Sequence, residues 1–259
     1  RPSDGTPVGA VYGFANMLIK LMGDYPAAPI LVVFDVSRKS LRTEMYPEYK
    51  AHRPPPPEEL VPQFPLIRDA VKAFGLPAVE LENYEADDLI ASYTRAALAA
   101  GRTVEIVSGD KDLMQLIKPG VTFYDPMKGK IIGMPEVAEK FGVTPDKVGD
   151  VLALMGDSSD NVPGAPGTGP KTAAELITTY GDLETLLARA GEIKQPKRRE
   201  AIVNNAALIR LSRQLVALDE QAPLPLPLDQ ITPPQADKAA LLDWLQQQGF
   251  KALVARLGG

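Results

Sequence analysis

The chain is 259 residues long and 45% hydrophobic, enough to bury a core as one large domain or two small ones. It has no Cys, no run of about 18 apolar residues and no basic-apolar leader, so nothing argues for disulfides, a membrane span or secretion, and a cytoplasmic protein is expected. The formal net charge of -5 bears on solubility more than on contacts: the acids gather in short clusters, while the bases lie apart in YKAHR (49–53), GPKT (169–172) and KQPKRR (194–199).

Residues 8–22 carry apolar groups at helical spacing, and the apolar run 30–34 ending at Asp35 reads as a buried strand. From 37 to 59 apolar content collapses and charge, Tyr and four consecutive prolines take over, which predicts a long functional loop or arch at about 36–60. A helix near 60–74, a strand at 78–81 and a helix over about 84–100 with Gly101 at its C-terminus follow. The strands 104–108 and 121–125 come next, the second turning through Lys128-Gly129 into a hairpin. Beyond about residue 145 strand signals disappear; short helices alternate with Gly and Pro, and an extended spacer (223–229) precedes a last amphipathic helix at 236–248. The expected fold is therefore α/β: a mainly parallel central sheet flanked by helices over residues 1–145, then a C-terminal helical subdomain over 146–259.

Four acidic sites stand out: Asp35 after VVF; Glu85, Asp87 and Asp88 in YEADD; Asp110 and Asp112 in SGDKD; and Asp157 and Asp160 in GDSSDN. Two sit at strand carboxyl ends, one opens a helix and one closes a helix, so the fold can bring them to one rim, where such sheets bind ligands. Clustered carboxylates repel and raise one another's pKa unless cations neutralise them, and hard oxygen donors suit Mg²⁺ or Mn²⁺. Two such ions roughly 3.5–4 Å apart would serve an in-line phosphodiester displacement. His52 is the only His and there is no Cys, so no nucleophilic triad can be built. Taken singly, each acid also has an ordinary reading as a helix-terminal or turn residue; Asp35, at a buried strand end without an evident cationic partner, is harder to explain that way.

The stretch VPGAPGTGPKTA (162–173) places glycines and prolines between two helical segments, with backbone N–H groups free to grip a phosphate. It has the glycine spacing of a P-loop, but Pro170 precedes Lys171-Thr172 and no apolar strand leads into it, so a helix-hairpin-helix binding a duplex backbone is expected. Lys50 and Arg53 are further candidate phosphate contacts. Lys197, Arg198 and Arg199 read as a solvated face.

YPEYKAHRP, YEADD, SGDKDLMQL and GDSSDNVPGAPGTGPKTA, in this order and spacing, make the chain resemble the 5′ nuclease family that includes flap endonucleases, most of all its bacterial polymerase I branch. The likeness runs from about residue 6 to the end. It implies a PIN-like nuclease core and a structure-specific enzyme that hydrolyses DNA at 5′ flaps and free 5′ ends, with RNA–DNA primer junctions as further substrates, acting as a monomer away from membranes in replication and repair. It implies two metal ions, the first bound or supported by Asp35, Glu85, Asp87 and Asp88 and the second by Asp110, Asp112, Asp157 and Asp160. Tyr49, Lys50 and Arg53 would belong to an arch helix near the scissile phosphate, with Tyr49 contacting DNA and Lys50 and Arg53 steadying the developing charge. Gly167, Gly169, Lys171 and Thr172 would contact the duplex, and a K⁺ ion would bind the hairpin.

One departure matters. Family members begin with a strand ending in a metal-binding Asp; here Asp4-Gly5 follows only Arg-Pro-Ser. An N-terminally incomplete chain is the expectation, with a linked polymerase domain in the full-length protein. The rival reading is a structure-specific DNA-binding module whose catalysis is impaired by the missing ligand. A ribonuclease on the same platform and a phosphatase using Asp35 are weaker rivals, the latter because Asp35-Val36-Ser37 lacks a second Asp.

Overall fold

The computed structural model describes residues 4–258. Two compact units interleave along the chain. One takes in the chain up to Phe34, Pro54–Glu80 and the chain from Leu224; the other takes in Asp35–Arg53 and Leu81–Pro223. The stretch expected as an arch contributes to both.

In the first unit, α1 (Gly9–Asp24) turns Val11, Ala15 and Leu18 inward, the i, i+4, i+7 spacing of a buried helical stripe. That stripe shares a core with Val71 and Phe74 around α3 (Gln63–Ala73), and with Leu241, Leu245 and Leu253 of the C-terminal helices. Val8, at the N-cap of α1, offers no side-chain acceptor; the Gln63 amide oxygen substitutes, accepting the N–H groups of Ala10 at 2.7 Å and Val11 at 3.2 Å. Strands β1 (Val32–Val33) and β2 (Ala78–Val79) pair in parallel.

The second unit holds the helix α4 (Ala86–Ala99) and the strands β3 (Val104–Val107), β4 (Val121–Asp125) and β5 (Lys130–Ile132). β3 and β4 are parallel; β4 and β5 form the expected hairpin, with Gly129 at φ +65°. The expected parallel pairs thus exist, but among the described residues they form a two-stranded and a three-stranded sheet, not one continuous sheet. Gly101 lies one residue past the C-cap Ala100 with φ +76°, and the N–H of Arg102 reaches back to the Ala97 carbonyl, so the chain leaves α4 by a left-handed turn. Within the region read as an irregular arch, α2 (Leu41–Met45) forms because Ser40 and Thr43 make a reciprocal capping box, whereas Tyr49, Lys50 and Arg53, expected on an arch helix, lie beyond it in non-helical backbone, with Lys50 in the left-handed region.

Helix α6 (Val148–Met155) is buried almost throughout, which is why its sequence lacks an amphipathic pattern. It leads through Gly156 into the glycine hairpin and α7 (Pro170–Tyr180). The element before the hairpin is thus a helix, as a helix-hairpin-helix requires and a P-loop does not. The hairpin closes by near-contact of backbones: a Cβ on Gly164, at φ +64°, would lie 2.4 Å from the Gly156 nitrogen and 2.8 Å from the Leu154 carbonyl oxygen. Ser212, on α10 (Ala206–Val216), accepts the Gly164 N–H at 3.0 Å and fixes the turn from behind. Gly164→Ala therefore meets both a left-handed backbone and a rigid wall, and should cost at least about 2 kcal/mol in urea unfolding. An unchanged midpoint would show that the hairpin can relax.

Candidate metal centre

Three chain turns build the acidic centre. At the first turn of α4, Asp35 Oδ1 accepts the Ala86 N–H at 2.7 Å and Asp88 Oδ2 accepts the Glu85 N–H at 3.2 Å, so these acids satisfy donors that the helix leaves open. Beyond the end of β3, Asp110 accepts the Asp112 N–H at 2.9 Å and starts a 3-10 helix, Lys111–Leu116. After α6, paired backbone hydrogen bonds between Asp157 and Val162 close a tight loop, inside which Ser159 donates its N–H and hydroxyl to Asp157 Oδ1. Asn161 sits at φ +57° in that loop and donates to the Glu48 carbonyl. The Lys50 N–H, itself at φ +57°, donates to the Asp160 carbonyl at 2.8 Å, tying the base of the arch to the loop.

These turns gather two overlapping carboxylate groups, Asp87 with Asp110 and Asp112, and Asp112 with Asp157 and Asp160; in each, donor oxygens lie within 4.8 Å of one another. Asp112 is shared. Its carboxyl is pushed up to about 7 by burial, then by the charges of Asp110, Asp157 and Asp160, against the opposing pull of Lys111. Asp87 is raised well above the usual carboxylate range by burial, then by the charge of Asp110 and a hydrogen bond between the two carboxyls. Asp160 is also raised, chiefly by burial. For Asp157, burial opposes ionisation but hydrogen bonds from Lys111 and Ser159 outweigh it, and the carboxyl stays ionised to lower pH. Convergent all-oxygen donors, three of them reluctant to ionise while packed together, fit hard divalent cations.

Asp35, Glu85 and Asp88 lie outside these two groups. Asp35 is exposed and occupied with the helix N-terminus. Glu85 accepts from Arg42 at 2.6 Å, from the Tyr49 hydroxyl at 3.1 and 3.2 Å, and from Lys50. Asp88 is held by both ends of the Arg42 guanidinium at 2.6 and 2.7 Å and also accepts the Asp219 N–H. Arg53 pairs with Asp160. Gly167, Gly169 and Lys171 are exposed at the start of α7, with Thr172 half-buried beside them.

Sequence reasoning missed Arg42 and Lys111. Arg42 is 8% exposed and also donates to the carbonyls of Leu215 and Ala217, at and just past the end of α10. Losing it removes the cation shared by Asp88 and Glu85 and a donor to two carbonyls. Arg42→Met should cost about 3–5 kcal/mol in denaturant unfolding, and Arg42→Lys less. A loss within the error of the measurement would show that the network is dispensable.

The pH dependence follows from the raised carboxyls. Asp112 goes from an ordinary 3.8 to about 7, so the folded chain binds that proton more tightly; the benefit is complete below the ordinary value and drains away as pH rises through about 7. Asp87 acts in the same sense, while Asp157, lowered, matters only at more acid pH. In EDTA, Asp112→Asn should flatten the fall in melting temperature between about pH 5 and 8. Parallel curves for the two proteins would contradict the raised carboxyl.

Known proteins share this architecture. Residues 1–142 match the family "5'-3' exonuclease, N-terminal resolvase-like domain" and residues 143–239 match "5'-3' exonuclease, C-terminal SAM fold". DNA polymerase I of Rhizobium leguminosarum is 52% identical over 264 residues, covering 99% of this chain and 26% of that protein; the chain thus spans about a quarter of that relative's length. A 5'-3' exonuclease of Aquifex aeolicus is 36% identical over 252 residues, 97% of this chain and 86% of that protein. Among solved structures, T5 5'-exonuclease with bound zinc superposes with a TM-score of 0.73 at 19% identity, covering 99% of this chain and 93% of that one. The catalytic core of Rad2 with DNA substrate gives 0.62 at 13% identity, covering 99% and 86%. With both halves matched in order, the chain belongs to the 5'-3' exonuclease family.

Proposed function

We propose that the chain is a structure-specific 5′ nuclease that hydrolyses DNA at 5′ flaps and free 5′ ends, including RNA–DNA primer junctions, in replication and repair. The observation that carries this reading is the pair of carboxylate groups sharing Asp112, ringed by basic side chains from the base of the arch. Asp87, Asp110 and Asp112 would hold one divalent cation and Asp112, Asp157 and Asp160 a second, with Mg²⁺ or Mn²⁺ the ions of choice. Asp35, Glu85 and Asp88 support the first group from the α4 terminus. When bound, such a pair of ions supplies an activated water and stabilises the leaving oxygen of an in-line displacement.

The chain's own residues do the rest. Glu85 and Asp160 hold Lys50 and Arg53 at the rim of the carboxylates, where both can steady charge developing on a phosphodiester. Tyr49, buried against Glu85, fixes the base of the arch. Gly167, Gly169, Lys171 and Thr172 offer backbone N–H groups, an ammonium and a hydroxyl to a duplex backbone, with K⁺ at the hairpin carbonyls. In the same reading the chain acts in the cytoplasm as a monomer linked to a polymerase domain, with a functional division near residue 145. Among the described residues no helix is long and apolar enough to cross a membrane. A DNA-binding module with impaired catalysis is not favoured, because the relatives matched over nearly the whole chain include a protein named as a 5'-3' exonuclease.

A 5′-labelled flap incubated with Mg²⁺ should be cut, and Asp112→Asn, which strips a ligand from both groups, should slow cutting more than about a hundredfold while flap binding in Ca²⁺ persists. Near-parental cleavage by that variant would sink the proposal.

A further inference from the structure

Lys111 lies inside the carboxylate cluster, yet the hydrolysis outlined above makes no use of it. It is the first residue of the 3-10 helix that Asp110 caps, and its side chain reaches the loop after α6. Nζ is 2.7 Å from Asp157 Oδ2 and 3.1 Å from Asp112 Oδ1. The other oxygen of Asp157 is committed to the N–H and hydroxyl of Ser159, at 3.1 and 2.6 Å. Oδ2 is therefore the oxygen with which Asp157 can serve a cation, and Lys111 holds it.

A divalent ion among Asp112, Asp157 and Asp160 needs that same oxygen at roughly 2.0–2.6 Å. An ammonium still bonded to it would lie within a few ångströms of a doubly charged ion, and in a half-buried site that repulsion is strong. One of the two must leave. Asp157 is pinned through Ser159, whereas Lys111 has a flexible four-carbon stem and keeps 29% of its side chain exposed. It is the ammonium that moves.

We infer that Lys111 is a displaceable counter-ion: it neutralises Asp112 and Asp157, yields their oxygens to a divalent cation, and then offers its ammonium to the phosphodiester bound beside them. The exchange rests on local geometry; the hand-over to phosphate rests on the nuclease reading of the same site. Through Lys111, cation binding and phosphate binding each favour the other.

Calorimetric titration of Mn²⁺ into the chain without DNA isolates the exchange. Lys111→Gln removes the competitor and should bind Mn²⁺ about fivefold or more tightly than the parent, while its affinity for a 5′-flap duplex in Ca²⁺ falls. Lys111→Arg keeps the charge and can fork onto both carboxylates, so it should bind Mn²⁺ more weakly, and it provides the test if the Gln variant does not fold. Unchanged or weaker Mn²⁺ binding in Lys111→Gln, or unchanged or tighter binding in Lys111→Arg, overturns the exchange. Tighter Mn²⁺ binding with undiminished flap affinity overturns the hand-over. If both Mn²⁺ shifts appear but the parent cleaves no DNA, the exchange stands and the nuclease reading falls.

Discussion

Mutual repulsion among Asp87, Asp110, Asp112, Asp157 and Asp160 is the constraint around which the second unit is arranged, since a fold that draws these carboxylates within a few ångströms must supply counter-charge or keep protons on them. The chain does both. Lys111 and Arg53 neutralise the Asp157 and Asp160 side. Among the described residues no basic side chain forms an ion pair with Asp87 or Asp110, and burial together with the charge of Asp110 raises the Asp87 carboxyl instead. Nothing buried is left unmatched: every buried side-chain polar atom among the described residues has a partner.

Counter-charge alone would not hold the geometry, and the tight backbone turns have that task. Lys50 and Asn161 both adopt left-handed backbone, a conformation that costs free energy in residues other than Gly. In return, each makes a hydrogen bond between the arch base and the loop after α6, so the ammonium of Lys50, the guanidinium of Arg53 and the carboxylate of Asp160 share one rigid frame. The glycine hairpin is built on the same α6, with Gly156 and Gly164 in backbone contact and Ser212 behind them. The helix that leads into Asp157 thus also fixes where the exposed start of α7 lies within this unit.

Much of this was legible in the chain. Asp110 after an apolar run, the parallel β3 and β4, the hairpin at Gly129 and the helix-glycine-helix order all follow from local patterning, because period and turn chemistry act over a few residues. What escaped depends on contacts distant in sequence. Arg42 is one basic residue in a polar stretch, and its partners lie on α4 and 173 residues away at the end of α10. Lys111 reads as a solvated charge between two acids until α6 brings Asp157 to it. The short helices of the C-terminal half are unevenly legible: the apolar run at 148–156 reads as a helix, as α6 is, but α9 (Pro196–Asn204) buries only Ile202 and shows no clear apolar stripe.

YEADD shows why residue type cannot assign roles by itself. Asp87 and Asp88 are adjacent, and neighbouring positions on a helix project about 100° apart. One rotates toward Asp110, where no counter-ion waits and burial raises its carboxyl. The other rotates toward Arg42, which grips it with two short hydrogen bonds and fixes it as a structural anion. Glu85, one turn earlier, shares that guanidinium and passes its remaining charge to Lys50. Removing the Asp87 charge relieves a repulsion, whereas removing the Asp88 charge leaves the buried Arg42 guanidinium with Glu85 as its remaining anion, so the two substitutions act on stability in opposite directions although the sequence presents them as a pair.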